Sequence, residues 1–264
     1  MIALLGKELA DLRRNPALFM PAILAGSLSM LLPFVIAIMV PAFAGERLSE
    51  SSDFEVALEM YRDQGALRAL DPEAAVQAWI FQQFLVLLVV TPVTAAMSIA
   101  AYSIVGEKQA RTLEPLLATP VTTIELLGAK VLGAFLPALA LTGATFLVYL
   151  AGVSVFAEPG VFRALLLPGS LAVTFLLGPL LSLAALQLAV CVSSRVNDAR
   201  SAQQIGALVV LPLTAAFILQ VTGMFRLTLP LIGAAALALL AVNIGLLLLG
   251  TVLFERESIL TRWK

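Results

Sequence analysis

The chain has 264 residues, of which 61% are hydrophobic and only 12% are charged. A soluble domain of this length carries about a quarter charged residues, so the composition indicates a membrane protein. The net charge of -1 argues against a nucleic-acid partner. One cysteine and no histidine leave neither a disulfide nor the usual zinc ligands, and we expect no catalytic, cofactor or metal site in this chain.

Residues 1–16 are predicted to form an amphipathic helix that lies in the membrane interface. Its apolar residues recur at helical spacing, its charges fall on the opposite side, and Asn15-Pro16 ends it. The apolar residues are Ile2, Leu5, Leu9 and Leu12, and the charged ones are Lys7, Asp11 and Arg14. Such a helix either anchors the chain or also contacts a cytoplasmic partner.

Residues 17–264 are predicted to be a six-span transmembrane domain. Six stretches contain no Asp, Glu, Lys or Arg: residues 17–43, 79–104, 131–157, 164–192, 205–225 and 227–254. Each reaches the roughly 20 residues that a membrane-spanning helix needs. A charge at the centre of a span costs about 2.5–3.5 kcal/mol, so the uniform absence of charge is a physical signal. We therefore predict an all-α integral membrane protein.

The distribution of Lys and Arg predicts the orientation of the spans. With the N-terminus inside, the inner segments hold eleven of these residues and the outer segments five. Positive residues accumulate on the cytoplasmic side, so both termini are predicted to be cytoplasmic. Lys130 is counted among the inner charges, directly before the third span. Cys191 is placed near the inner end of the fourth span and should resist a membrane-impermeant thiol reagent in intact cells.

The first outer loop, residues 44–78, is the longest extracytoplasmic segment. Asp71-Pro72-Glu73 is typical of a helix start, with Asp71 at the N-cap and Pro72 in the first turn. This helix is expected to continue into the second span. The loop is either a gate or substrate vestibule, or a small solvated cap over the spans.

Polar side chains inside the six stretches are amides and hydroxyls. Intramembrane charges mark ion pathways, so an ion-coupled transporter is not expected. Gln187, Gln220 and Asn243 are interpreted as interhelical hydrogen-bonding residues. Gln82 and Gln83 are the candidates for a substrate path.

The cytoplasmic segment between spans two and three, residues 105–126, contains a short helix signal. Thr112 can cap it, and Thr119-Pro120 ends it. Leu113, Leu116 and Leu117 share one apolar face. These leucines either lie against lipid headgroups or insert into a partner protein.

Residues 106–121, GEKQARTLEPLLATPV, resemble the signature of type-2 ABC exporter permeases. In that family this segment is the coupling helix that docks on the ATP-binding subunit, although Arg111 stands where many relatives have glycine. The resemblance implies an interface made by Glu107, Lys108, Arg111, Thr112, Leu113, Glu114, Leu116, Leu117, Thr119 and Pro120.

Two further segments are similar to parts of the same family. Lys7, Glu8 and Arg14 match its N-terminal helix. Residues 193–204 resemble its second cytoplasmic loop, which implies a second contact made by Arg195, Asn197, Asp198 and Arg200.

The resemblance implies a permease subunit of an efflux system in the cytoplasmic membrane of a prokaryotic cell. A separate ATP-binding-cassette subunit would hold ATP and Mg, and a second permease copy or a related permease would complete a dimer. The absence of a Gly-rich phosphate loop from this chain agrees with that division of labour. The alternative is a regulatory or assembly subunit on the same fold that transports nothing.

Overall fold

The computed structural model describes residues 2–55, 58, 70–109, 123–193, 204 and 207–253. Within these residues there are eleven α-helices, joined in places by short 3-10 and π-helical turns, and no β-strand. The helices are α1 (Ile2–Arg14), α2 (Met20–Phe34), α3 (Val40–Ala44), α4 (Pro72–Leu88), α5 (Val90–Gln109), α6 (Thr123–Phe156), α7 (Val161–Leu165), α8 (Pro168–Ala172), α9 (Gly178–Ser193), α10 (Val210–Val221) and α11 (Leu229–Leu253).

Five helical segments of the described chain are long and apolar enough to cross a membrane. They are Pro16–Ala44, Pro72–Ser103, Glu125–Phe156, Pro168–Ser193 and Leu229–Leu253. Each overlaps one of the uncharged stretches. The remaining stretch, residues 205–225, contains the shorter apolar helix α10. The all-α membrane architecture is therefore confirmed, with five candidate spans where the sequence predicts six.

The second span, made of α4 and α5, lies at the centre of the bundle. In its most apolar window 83% of the residues are buried, compared with 22% for Pro16–Ala44 and 17% for Leu229–Leu253. The helix is interrupted at Val89 because Pro92 has no N–H to donate to the carbonyl of Leu88. The peripheral spans keep large apolar side chains on the outer surface, as expected for contact with lipid.

One end of the bundle, which we call the α1 end, collects several chain segments. A Cβ atom added at Gly250 in α11 would lie 3.8 Å from Cys191 Sγ in α9 and 3.9 Å from Leu127 Cδ1 in α6. The start of α6 therefore lies beside the final turns of α9 and α11. Helix α1 packs at the same end, against α6.

The opposite end, which we call the loop end, is held together by side chains of α4. Helix α4 begins at Pro72, inside the predicted loop 44–78, and Asp71 makes no side-chain capping bond. The buried carboxylate of Glu73 instead accepts hydrogen bonds from the backbone N–H groups of Leu48 (3.3 Å) and Ser49 (3.0 Å). The polypeptide that follows α3 is thereby fixed to the second span.

Candidate functional site

The N-terminal helix packs on α6 through a face centred on Glu8. Leu12 is buried and Leu5 half-buried, and Glu8 lies between them at spacings of three and four residues, on the same face. Leu9, which was expected on that face, is 36% exposed. Gly133 of α6 lies directly opposite Glu8, because a Cβ atom added at Gly133 would be 2.8 Å from Glu8 Cβ.

Glu8 meets two polar side chains from the second and third spans. Lys130 Nζ in α6 lies 3.0 Å from Glu8 Oε1 and donates a second hydrogen bond of 2.9 Å to Ser103 Oγ in α5. Ser103 Oγ in turn donates to Glu8 Oε2 over 2.8 Å. The three residues, which we call the Glu8 triad, form a closed ring of hydrogen bonds among three helices.

In the Glu8 triad Lys130 is buried, whereas Glu8 and Ser103 are half-buried. The side chain of Lys130 is 2% exposed and that of Glu8 is 12% exposed. Lys130, which the sequence analysis places directly before the third span, therefore lies within α6 and inside the candidate span that begins at Glu125. Removing one partner of a buried ion pair costs about 3–5 kcal/mol, because it leaves the other charge without compensation. Through these bonds the triad ties α1 to α5 and α6.

A cavity of about 480 Å³ opens beside the triad, between α1 and α5. Its polar lining includes Glu8, Asp11, Tyr102 and Ser103. Lys7 and Arg14, two predicted contact residues of α1, also line it, and both are exposed. No group of acidic or cysteine side chains in the described residues is arranged to hold a metal ion.

The predicted coupling segment leaves the bundle next to the triad. Helix α5 ends at Gln109 and α6 begins at Thr123, so these helices are the two stems of that segment. Ser103 and Lys130 each lie about two helical turns from the end of their stem. For Glu107 and Lys108 the helical backbone of α5 is described.

The other predicted contact residues fall in segments that the structure does not describe. Outside the described residues lie Arg111, Thr112, Leu113, Glu114, Leu116, Leu117, Thr119, Pro120, Arg195, Asn197, Asp198 and Arg200. Helix α9 ends at Ser193, where the second of these segments starts. Both segments therefore begin at the α1 end.

Gln82 and Gln83 lie in α4, in the half of the second span nearer the loop end. Gln82 is half-buried, and its Nε2 donates a 2.9 Å hydrogen bond to the carbonyl oxygen of Ala164 in α7. Gln83 is buried, and its Oε1 has no hydrogen-bond partner among the described residues. Their part in a substrate path stays a prediction.

The interhelical role predicted for Gln187 and Asn243 is confirmed. Gln187 Nε2 in α9 donates to Asn243 Oδ1 in α11 over 3.3 Å. Asn243 Nδ2 donates to the carbonyl oxygen of Leu180 at 3.0 Å. These bonds join the fourth and last candidate spans. Gln220 Oε1 is buried without a partner in the described part of the chain.

Sequence reasoning missed Ser103 and Lys130. One signal was available, because apolar and small residues continue on both sides of Lys130, from Leu126 onward and again from Val131. A lysine flanked in this way is expected to lie within a helix of the bundle, with its aliphatic part against apolar neighbours.

A protein-family model matches most of the chain. The family model described as ABC-2 family transporter protein matches residues 2–231, from α1 into α11. The matched range includes the Glu8 triad and the predicted coupling segment. No curated protein matches the chain significantly.

Proposed function

This chain belongs to the ABC-2 family of transporter proteins, and we propose that it is the permease subunit of an ABC exporter that moves its substrate out of the cytoplasm. The observation that carries the proposal is the family match over residues 2–231. It agrees with a helical bundle of five candidate spans. In this proposal the chain forms the membrane pathway, and a separate subunit hydrolyses ATP.

The partner proposed for the α1 end is an ATP-binding-cassette subunit that holds ATP and Mg. The stems of the coupling segment support this position. Helix α5 ends at Gln109 and α6 begins at Thr123, and both of these helix ends lie at the α1 end. The exposed charges of Lys7 and Arg14 also lie at this end. A bound subunit could therefore reach the coupling segment and the N-terminal helix together.

We also propose that two permease chains form one pathway. The centre of the single bundle is filled by α4 and α5, so a route for a sizeable substrate is better placed between two bundles than within one. Closed two-fold symmetry is the commonest arrangement of identical chains. A related permease can take the place of the second copy.

We propose that the α1 end faces the cytoplasm of a prokaryotic cell and the loop end faces outward. Support comes from the eleven-to-five distribution of Lys and Arg and from the grouping of α1 with the ends of α9 and α11. With six spans in the membrane, this orientation leaves both termini inside.

The orientation can be tested with single cysteines at exposed positions. The native Cys191 is buried, with Sγ 3.9 Å from the carbonyl oxygen of Leu246, so burial alone protects it from a thiol reagent and makes it uninformative. In a Cys191→Ser background, we expect a membrane-impermeant maleimide to label Glu46→Cys and Glu158→Cys in intact cells. Arg14→Cys should react only after permeabilisation. All three native side chains are exposed.

Labelling of Arg14→Cys in intact cells, together with protection of Glu46→Cys, would reverse the proposed orientation. Labelling of all three variants after permeabilisation is the internal control, since it shows that each thiol is reactive.

ATP hydrolysis tests the function itself. The purified chain should hydrolyse no ATP. Hydrolysis should be measured only when the ATP-binding subunit is bound to this chain in the membrane. Hydrolysis by the chain alone, after contaminating ATPases have been removed, would overturn the proposed division of labour.

A further inference from the structure

We propose that the Glu8 triad is a rigid clamp that makes α1 and the two stems of the coupling segment move as one body. The inference rests on the proposed function, because it assigns to the triad the transmission of movement from the ATP-binding subunit to the spans. Glu8, Ser103 and Lys130 act as positioning residues and contact neither substrate nor nucleotide.

The connectivity of the triad is the first observation behind this inference. Glu8 is bonded to both stems at once, through Lys130 on α6 and Ser103 on α5. Lys130 also bonds Ser103, so the two stems are tied to each other as well as to α1. No helix of the three can shift along its axis without breaking at least two of these bonds.

Close packing at the same point is the second observation. The backbone of α6 at Gly133 approaches Glu8 so closely that an added Cβ atom would lie 2.8 Å from Glu8 Cβ and 3.9 Å from Leu5 Cδ1. Leu12 is buried on the same face of α1. Packing on both sides of the charges leaves α1 little freedom to pivot.

Charge is the third observation. A carboxylate and an ammonium group in a poorly solvated site gain their compensation only in the paired geometry, so a partly separated arrangement is unfavourable. An amphipathic helix that needed only to rest on the interface would place Glu8 toward water, with Lys7 and Asp11. Its inward position indicates that the helix is held to the bundle.

Spin-label distances can test the clamp directly. In the Cys191→Ser background, labels at Arg13→Cys and Leu136→Cys report the separation of α1 from α6, since both native side chains are exposed. A narrow distance distribution is expected, and it should not shift when ATP and vanadate are added to the complex. Labels at Glu46→Cys in two permease copies report the response of the loop end.

Three variants distinguish a clamp from other roles. Glu8→Met and Lys130→Met each break the ion pair between α1 and α6, so the Arg13–Leu136 distribution should broaden and the ATP-dependent shift at Glu46 should disappear. In the double variant Glu8→Met, Lys130→Met, an apolar pair of similar length replaces the ion pair, which buried sites often tolerate. The double variant should restore both the narrow distribution and the shift at Glu46.

Several results would overturn the clamp. One is an ATP-dependent change of the Arg13–Leu136 distance in the wild-type complex, and another is wild-type behaviour of both single variants. A third is a double variant in which the Arg13–Leu136 distribution is narrow, as in wild type, but the ATP-dependent shift at Glu46 is still absent. Absence of any Glu46 response in wild type would count against the proposed function, whereas the Arg13–Leu136 distances would still decide whether the triad holds α1.

Discussion

Replacing both Leu116 and Leu117 by alanine is expected to remove most of the binding between this chain and its ATP-binding subunit while leaving membrane insertion intact. Truncation of one well-buried leucine costs about 2–5 kcal/mol, and central anchors of an interface cost similar amounts. Because about 1.4 kcal/mol corresponds to a tenfold change in affinity, the two truncations together should prevent recovery of the complex. Co-purification through a tag on this chain measures the effect.

A matched control is available in α11. Leu247 and Leu248 are 48% and 62% exposed on the surface of the bundle, and their replacement by alanine removes the same number of atoms without touching the coupling segment. This control should recover the ATP-binding subunit at the wild-type level. If the Leu116→Ala, Leu117→Ala variant does so too, the leucines lie against the membrane surface and the coupling interpretation of residues 105–126 is wrong.

The second large effect is expected from Gly133→Leu. A Cβ atom at this position would lie 2.8 Å from Glu8 Cβ, so the leucine side chain must push α1 away from α6. The movement separates Glu8 from Lys130 and breaks the ion pair of the buried ammonium group. The expected loss is about 3–5 kcal/mol, which should appear as a lower midpoint of thermal unfolding in detergent.

Gly128→Leu is the control for this substitution. Gly128 lies in the same helix, and a Cβ atom added there meets nothing within 4 Å. Leucine favours a helix over glycine by up to about 1 kcal/mol, so this variant should unfold at or above the wild-type midpoint. Equal midpoints for the two leucine variants would show that α1 is not packed on Gly133 as described.

The spans could be predicted because each is encoded locally. A long stretch without charge is most stable as a helix in the hydrocarbon core of the membrane. Five of the six stretches overlap helices of spanning length. In the sixth stretch the described residues include the shorter apolar helix α10, so a span there stays a prediction. Hydropathy indicates where a helix is tolerated in lipid, and it does not specify where the helix begins.

The Glu8 triad could not be predicted by the same means, since its members are far apart in sequence. Glu8 and Lys130 are 122 residues apart, and Ser103 and Lys130 are 27 apart. Helical periodicity places Glu8 beside Leu5 and Leu12. A carboxylate next to two leucines does not by itself indicate whether it faces water or a buried partner. The partner depends on which helices pack together, and that is decided by the whole bundle.

The N-terminal helix illustrates the limit of a one-helix analysis. Spacing alone favours a leucine stripe that includes Leu9, whereas packing buries a stripe centred on Glu8 and leaves Leu9 36% exposed. Gly133 permits the close approach of Glu8 to α6, because a Cβ atom there would lie 2.8 Å from Glu8 Cβ. A glycine in another helix therefore contributes to the packing of this face of α1.

ATP hydrolysis in proteoliposomes tests the permease proposal most directly. Three preparations are compared: this chain alone, the ATP-binding subunit alone, and the two together, each with a panel of phospholipids, amphiphilic drugs and monovalent cations. We predict that the chain alone hydrolyses no ATP and that a member of the panel accelerates hydrolysis only when both components are present. Hydrolysis by the chain alone, or identical rates for the ATP-binding subunit with and without this chain across the whole panel, would contradict the proposed function.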